Sequence, residues 1–166
     1  MATYQRARST PSLMNTTTHR LAPLFHFFDA AATPVAQVVT RIAFGQAFAL
    51  TGWGKLNNLD KITSYFESLG IPFASLQAPM IGAFELVGGI LLILGLGTRF
   101  AAMVLLSTMV VALLTAHGSD IAAAFRLDKG FDEVAPVPYL VAMLWLLAKG
   151  PGRISGDALL AKQQAR

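Results

Sequence analysis

The stretch "GAFELVGGILLILGLGTR", Gly82 to Arg99, decides the reading of this chain. Glu85 stands in it with no charged neighbour until Arg99, a full helix away. A carboxylate is out of place in so apolar a segment if the solvent is water on one side and a protein core on the other. It makes sense if the solvent is lipid. An ionisable group in a bilayer costs about 3 kcal/mol or more, and it faces the inside of a helix bundle with a partner.

Composition says the same of the whole chain. Its 166 residues are 54% hydrophobic and 13% charged, against about 25% charged residues in an ordinary soluble domain. The mean hydropathy is +0.55. There are no cysteines, so disulfides, thiolate metal sites, iron–sulfur clusters and covalent haem are excluded. The net charge is +4. The basic residues cluster beside apolar runs and form no stripe with interleaved aromatics, which argues for membrane topology and against nucleic acid.

Working outward, four runs approach the roughly 20 residues that cross a bilayer. They cover about 34–54, 77–96, 99–117 and 134–149, the last slightly short. Pro34 suits a first helical turn and Trp53 a lipid–water boundary. Between the first two runs, Leu59, Ile62, Tyr65, Phe66 and Leu69 recur at helical spacing among polar residues, and Gly70 and Pro72 end the pattern. That is an amphipathic helix too polar to span. "LAPLFHFFDAA", from Leu21, reads as another short interfacial helix. Residues 1–20 read as a disordered tail and 151–166 as a polar cytoplasmic one. The expected fold is all-α: an integral membrane four-helix bundle, domain 21–150, with short interfacial amphipathic helices.

Lys and Arg in the loops orient it. Arg6, Arg8, Arg20, Arg99, Lys149, Arg153, Lys162 and Arg166 fall on one side; Lys55, Lys61, Arg126 and Lys129 fall on the other. Both termini are therefore expected in the cytoplasm.

Helical geometry then sorts the polar residues. At about 100° per residue, Gln37, Arg41, Gly45, Phe48, Gly52 and Lys55 share a stripe of the first span. Glu85, Gly89, Leu92, Leu96 and Arg99 share one on the second, and Ala101, Thr108, Ala112, Thr115 and Ser119 one on the third. Small residues at such seams let helices approach closely in lipid. Measured from the cytoplasmic ends of their spans, Arg41 lies about 10 Å deep and Glu85 about 16 Å. The expected pair is Arg41–Glu85, with Gln37 and Gln46 nearby and Lys55 as the rival partner from the outer side. The pair reads either as a structural lock between helices or as a proton or quinone-headgroup site. His26 and His117 fall on opposite sides of the membrane, which argues against a shared haem; His117, beside Gly118 and Asp120, reads as an interfacial residue or as a quinone or metal contact. No metal ligand set is visible.

The ordered series "RIAFGQAF", "GWGKL", "YFESLGIP", "FELVGGILLILGLGTR" and "GPGRISGDAL" resembles the DoxX family of small four-span bacterial membrane proteins, over about Val38 to Asp157. Arg41, Lys55, Glu85, Arg99 and Asp157 fall on its recurring positions, as do Gly45, Gly52, Gly89, Gly95, Gly150 and Gly152. The family is named for similarity to a membrane subunit of an archaeal thiosulfate:quinone oxidoreductase, and some members are linked to oxidative-stress assemblies. The resemblance implies a bacterial cytoplasmic-membrane protein, multi-pass, that serves as a small subunit of a quinone-linked redox complex. Glu85 and Arg41 would be its reacting groups, and Lys55, Gln37, Gln46, Arg99 and His117 its binding groups. No cofactor is intrinsic to the chain; quinone is the expected ligand, and a membrane or peripheral redox subunit the expected partner besides the lipid bilayer. The alternative is a non-enzymatic scaffold whose ionic residues are structural.

Overall fold

The structure, a computed structural model, describes residues 13–165, with side chains from residue 32 onward. The expected disordered tail falls mostly on residues 1–12, outside the described residues. The chain forms two compact units, Met1–Thr33 and Pro34–Arg166; the second carries the candidate site.

Every regular element among the described residues is helical. The α-helices are α1 (Leu13–Leu56), α2 (Leu59–Ser68), α3 (Ala74–Leu94), α4 (Thr98–Thr115), α5 (Gly118–Phe125), α6 (Pro136–Lys149) and α7 (Gly156–Gln164), with one 3₁₀ turn at Phe131–Glu133. The run from Leu21 that reads as a separate interfacial helix is part of α1, and Pro34 lies inside that helix rather than at its start. Ala30, Ala31 and Ala32 are the best of helix formers, and a proline withdraws one backbone donor without ending a helix that its neighbours hold.

α3 and α4 are each long and apolar enough to cross a membrane, and α6 is a shorter apolar helix. Their surfaces are inverted relative to a water-soluble bundle. Val87, Ile90, Leu94, Phe100, Met103, Leu114, Val141 and Leu144 face outward, while Gln37, Arg41, Glu85, Thr98 and Thr108 are buried. Outward leucines and inward charges are stable when lipid is the surrounding solvent. The chain is thus an all-α membrane bundle.

α1, α3, α4 and α6 close on one another in a ring. α1 meets α3 through glycines seven residues apart on each helix. A Cβ on Gly45 would come 2.8 Å from the Gly89 carbonyl oxygen, and one on Gly89 would come 2.5 Å from the Gly45 oxygen. Further along, Gly52 packs on the backbone of Gly82 and Glu85. Only the absence of side chains permits this approach. Phe48, Leu92, Leu105, Met143 and Leu146 fill the centre from all four helices. Tyr139 of α6 meets Phe44 and Phe48 of α1 edge-on, with centroids 5.3 and 5.2 Å apart, the favoured arrangement for aromatic rings.

The α3–α4 turn is made by "GLG". Gly95 (φ +67°) and Gly97 (φ +54°) take the left-handed conformation, which glycine adopts without penalty. The Leu96 amide donates to the Leu91 carbonyl and the Gly95 amide to Leu92, which closes α3 in a Schellman turn.

Candidate functional site

The polar residues divide between the two ends of the bundle. At one end α1 grips the segment after α6. Arg41 donates from Nη1 to the Pro151 carbonyl (2.6 Å) and from Nη2 to Ile154 (2.8 Å). Gln37 Nε2 donates to the Gly150 carbonyl at 3.3 Å. Asp157, in the first turn of α7, accepts from the backbone amides of Gly97 (2.8 Å) and Thr98 (3.3 Å). It caps α4 from another part of the chain, placing a carboxylate where a helix N-terminus favours one. Arg99 is exposed, its guanidinium lying over Gly150. The start of the segment read as a polar tail is docked here by its own carbonyls.

At the other end, Glu85 is 1% exposed. Lys55 Nζ donates to its Oε1 at 2.5 Å, and its Oε2 is buried with no hydrogen-bond partner. The expected Arg41–Glu85 pair does not form, and two physical facts explain why. First, the glycine seam sets Glu85 level with Gly52. Lys55 is then one turn away, while Arg41 is about 16 Å distant at 1.5 Å per residue. The end of α3 lies beside Arg41, since Gly95 closes against its guanidinium; measuring depth from Pro34 set the first span about a third of its length too low. Second, side chains lean toward the N-terminus of their helix. On antiparallel α1 and α3, Lys55 and Glu85 lean toward each other, and Arg41 leans away.

The pair floors a cavity of about 190 Å³ between α2, α3 and α4. Ile62 and Phe66 of α2 and Leu69 just past it line it with Ile81 of α3 and Met109 and Ala112 of α4; Tyr65, Gln77 and Thr108 add polar groups. His117, just past α4, lines this cavity and an adjoining one bounded by Phe48, Thr51, Pro136 and Tyr139. Lys55 and Glu85 are common to both. A second layer supports His117. Its Nδ1 lies 2.9 Å from Asp120 Oδ2, and Lys129 Nζ donates to Asp120 Oδ1 at 3.0 Å. The His117 hydrogen bond, then that of Lys129, hold the Asp120 carboxyl below its ordinary range.

Of the residues the sequence singles out, Glu85, Lys55 and His117 come together. Arg41 and Gln37 are built into the opposite end, and Gln46 is exposed. Sequence reasoning missed the participation of α2 as one wall, and of Lys129 behind Asp120. The first was visible in the apolar face of α2. Lys129 carries no signal, because its place depends on how the loop after α5 folds back. No group of three or more His, Asp or Glu side chains able to hold a metal occurs among the described residues.

Fold and site define a helical membrane protein with a buried carboxylate–ammonium pair at the floor of an apolar cavity. The DoxX family profile matches residues 36–118, and the chain belongs to that family. It is 35% identical over 140 residues to "Uncharacterized membrane protein Rv3486" of Mycobacterium tuberculosis, covering 80% of this chain and 86% of that one. It is 32% identical over 141 residues to "Inner membrane protein YphA" of Escherichia coli, covering 79% and 95%. A shorter match, 31% over 81 residues, is to "Putative oxidoreductase CatD" of Bacillus subtilis, covering 49% and 59%. No solved structure gives a significant match.

Proposed function

We propose that this protein is the membrane subunit of a quinone-linked oxidoreductase, and that the cavity above Lys55–Glu85 receives the quinone ring. One observation carries the reading: Glu85 is buried, yet one of its oxygens has no partner. A charged pair that served only as a lock would gain from having every lone pair satisfied. Here one acceptor is left open beside a cavity walled by apolar side chains, the chemistry of a site for a largely apolar ligand with a polar head. The relative named as an oxidoreductase supports the same class. The chain has no cysteine to hold an iron–sulfur cluster, and in this reading electrons reach the quinone through a partner subunit.

In this reading Glu85 and Lys55 touch the ligand's head group, Glu85 as the proton-handling group and Lys55 as its paired cation. Arg41 and Gln37 act at the other end as structural residues. The protein resides in a bacterial cytoplasmic membrane as a four-span protein with both termini inside. Arg99, Lys149 and Arg153 then lie on the cytoplasmic side, and α2 and α5 on the outer side.

The test is extraction of ligand from protein purified in mild detergent. Stoichiometric quinone in the wild type, lost in a folded Glu85→Gln variant, is the expected result. A wild type without quinone, together with a Glu85→Gln variant that unfolds, would make the pair a lock and the protein a scaffold. A terminal tag accessible from the periplasm alone would overturn the orientation.

A further inference from the structure

We infer that the groove between α1 and α6 seats one phospholipid, with an acyl chain along the groove and an anionic head group at Lys149. The seat lies at the end of the bundle opposite Lys55–Glu85 and does not depend on what the cavity there receives.

The two helices run antiparallel, and contacts fix their levels. Gln37 Nε2 lies 3.4 Å from the Lys149 carbonyl oxygen, and Tyr139 meets Phe44 and Phe48. Beside these contacts the helices part into an open groove of about 350 Å³. Ala36, Thr40 and Phe44 form one wall; Val141, Ala142 and Trp145 form the other. From Trp145 to Pro138, where it ends, the groove runs about 10 Å at 1.5 Å per residue. Its small side chains leave the space, and neither wall carries a charge. In a bilayer a hydrocarbon chain fills such a slot, because an empty one forfeits dispersion contacts.

The mouth of the groove is cationic. Lys149 lies one turn beyond Trp145, with its ammonium 5.4 Å from the ring centroid. That cation–π contact keeps the charge at the groove. Among the described residues the Lys149 ammonium meets no carboxylate. Trp145 is 38% exposed and suits the level just below the head groups. Thr40 stands at that level on α1. Thr51, Thr108 and Thr115 each return the hydroxyl to a carbonyl of the preceding turn. Thr40 makes no such bond among the described residues, so its hydroxyl can serve the ester oxygens beneath a phosphate. A basic group at the mouth of an apolar interhelical groove is the chemistry that takes an anionic lipid.

The chain holds two tryptophans, and Trp53→Phe leaves Trp145 as the reporter in the full-length protein. The test reconstitutes it in phosphatidylcholine vesicles and titrates in phosphatidylglycerol or phosphatidylcholine with brominated acyl chains, reading the loss of fluorescence. Brominated phosphatidylglycerol is expected to take the site about fivefold more readily, the effect of one lysine at a head group. Lys149→Gln should remove that preference. Thr40→Leu, which fills the groove and leaves the charge in place, should remove it too. Equal quenching by the two lipids in the parent overturns the inference. A preference that survives Thr40→Leu puts the lipid outside the groove and overturns the seat; one that survives Lys149→Gln overturns the head-group contact. Quenching by neither lipid means that protein covers this face, a second copy or a partner, and overturns the inference as well.

Discussion

Lys55, and not Arg41, neutralises Glu85: the ammonium stands 2.5 Å from Oε1, although both cations share one stripe of α1. The choice is made by direction. Antiparallel helices turn the side chains of Lys55 and Glu85 toward each other, and the glycine seam holds their backbones at the right level. The pair is thus a product of packing as much as of charge.

Removing one member should cost more than removing both. Lys55→Met leaves a carboxylate buried without its cation and should lower stability by about 3 kcal/mol or more. Lys55→Met combined with Glu85→Gln removes both charges and should recover most of that loss. Equilibrium unfolding in mixed micelles measures the difference; equal losses for the single and double variants would show that the pair is not coupled.

The seam itself makes a sharper demand. Gly45→Val or Gly89→Val places a branched side chain where the facing backbone already stands. Each should destabilise by about 1–3 kcal/mol, the range for overpacking a filled interface. The same variant at Gly54, where a Cβ would meet nothing within 4 Å, should be far milder. Unfolding curves of the three variants decide the point.

Arg41 should behave as a structural residue. Arg41→Gln removes two hydrogen bonds to carbonyls of the segment after α6, and Asp157→Ala removes the cap on α4, a loss of about 1 kcal/mol. Both should lower the melting temperature and speed proteolysis near Pro151 without changing ligand binding at Glu85. A binding defect in folded Arg41→Gln would return this residue to the site.

Asp120 should titrate low. The His117 and Lys129 contacts favour its charged form, so its folded pKa lies below the unfolded value of about 3.9. Stability from these contacts is complete above that unfolded value and is lost as pH falls through the folded one. The carboxyl carbon resonance of Asp120 should therefore have its midpoint below that of a free aspartate. In Lys129→Met it should move upward. An unchanged midpoint would show that Lys129 contributes nothing.

Much of this was legible in the sequence. The apolar period, the sparse charge and the small-residue seams give the helices and their lipid-facing outsides, and the isolated Glu85 marks the buried site. The partner of Glu85 was not legible, because depth counted from Pro34 assumes a helix that begins there, and α1 begins earlier. The docking of 150–157 was hidden for a different reason. "GPGRISGD" looks like a solvated tail, and it is held through its main-chain carbonyls and one cap, groups that no side-chain pattern reveals.

That cap has a consequence in time. The amides of Gly97 and Thr98 wait for Asp157, which leaves the ribosome only after every helix of the bundle. The α3–α4 hairpin is thus drafted early in synthesis and completed late. Until residue 157 has emerged, α4 begins with bare donors at the membrane surface. A nascent chain stalled before that residue should present the turn to proteases and chaperones, and one stalled well beyond it should not.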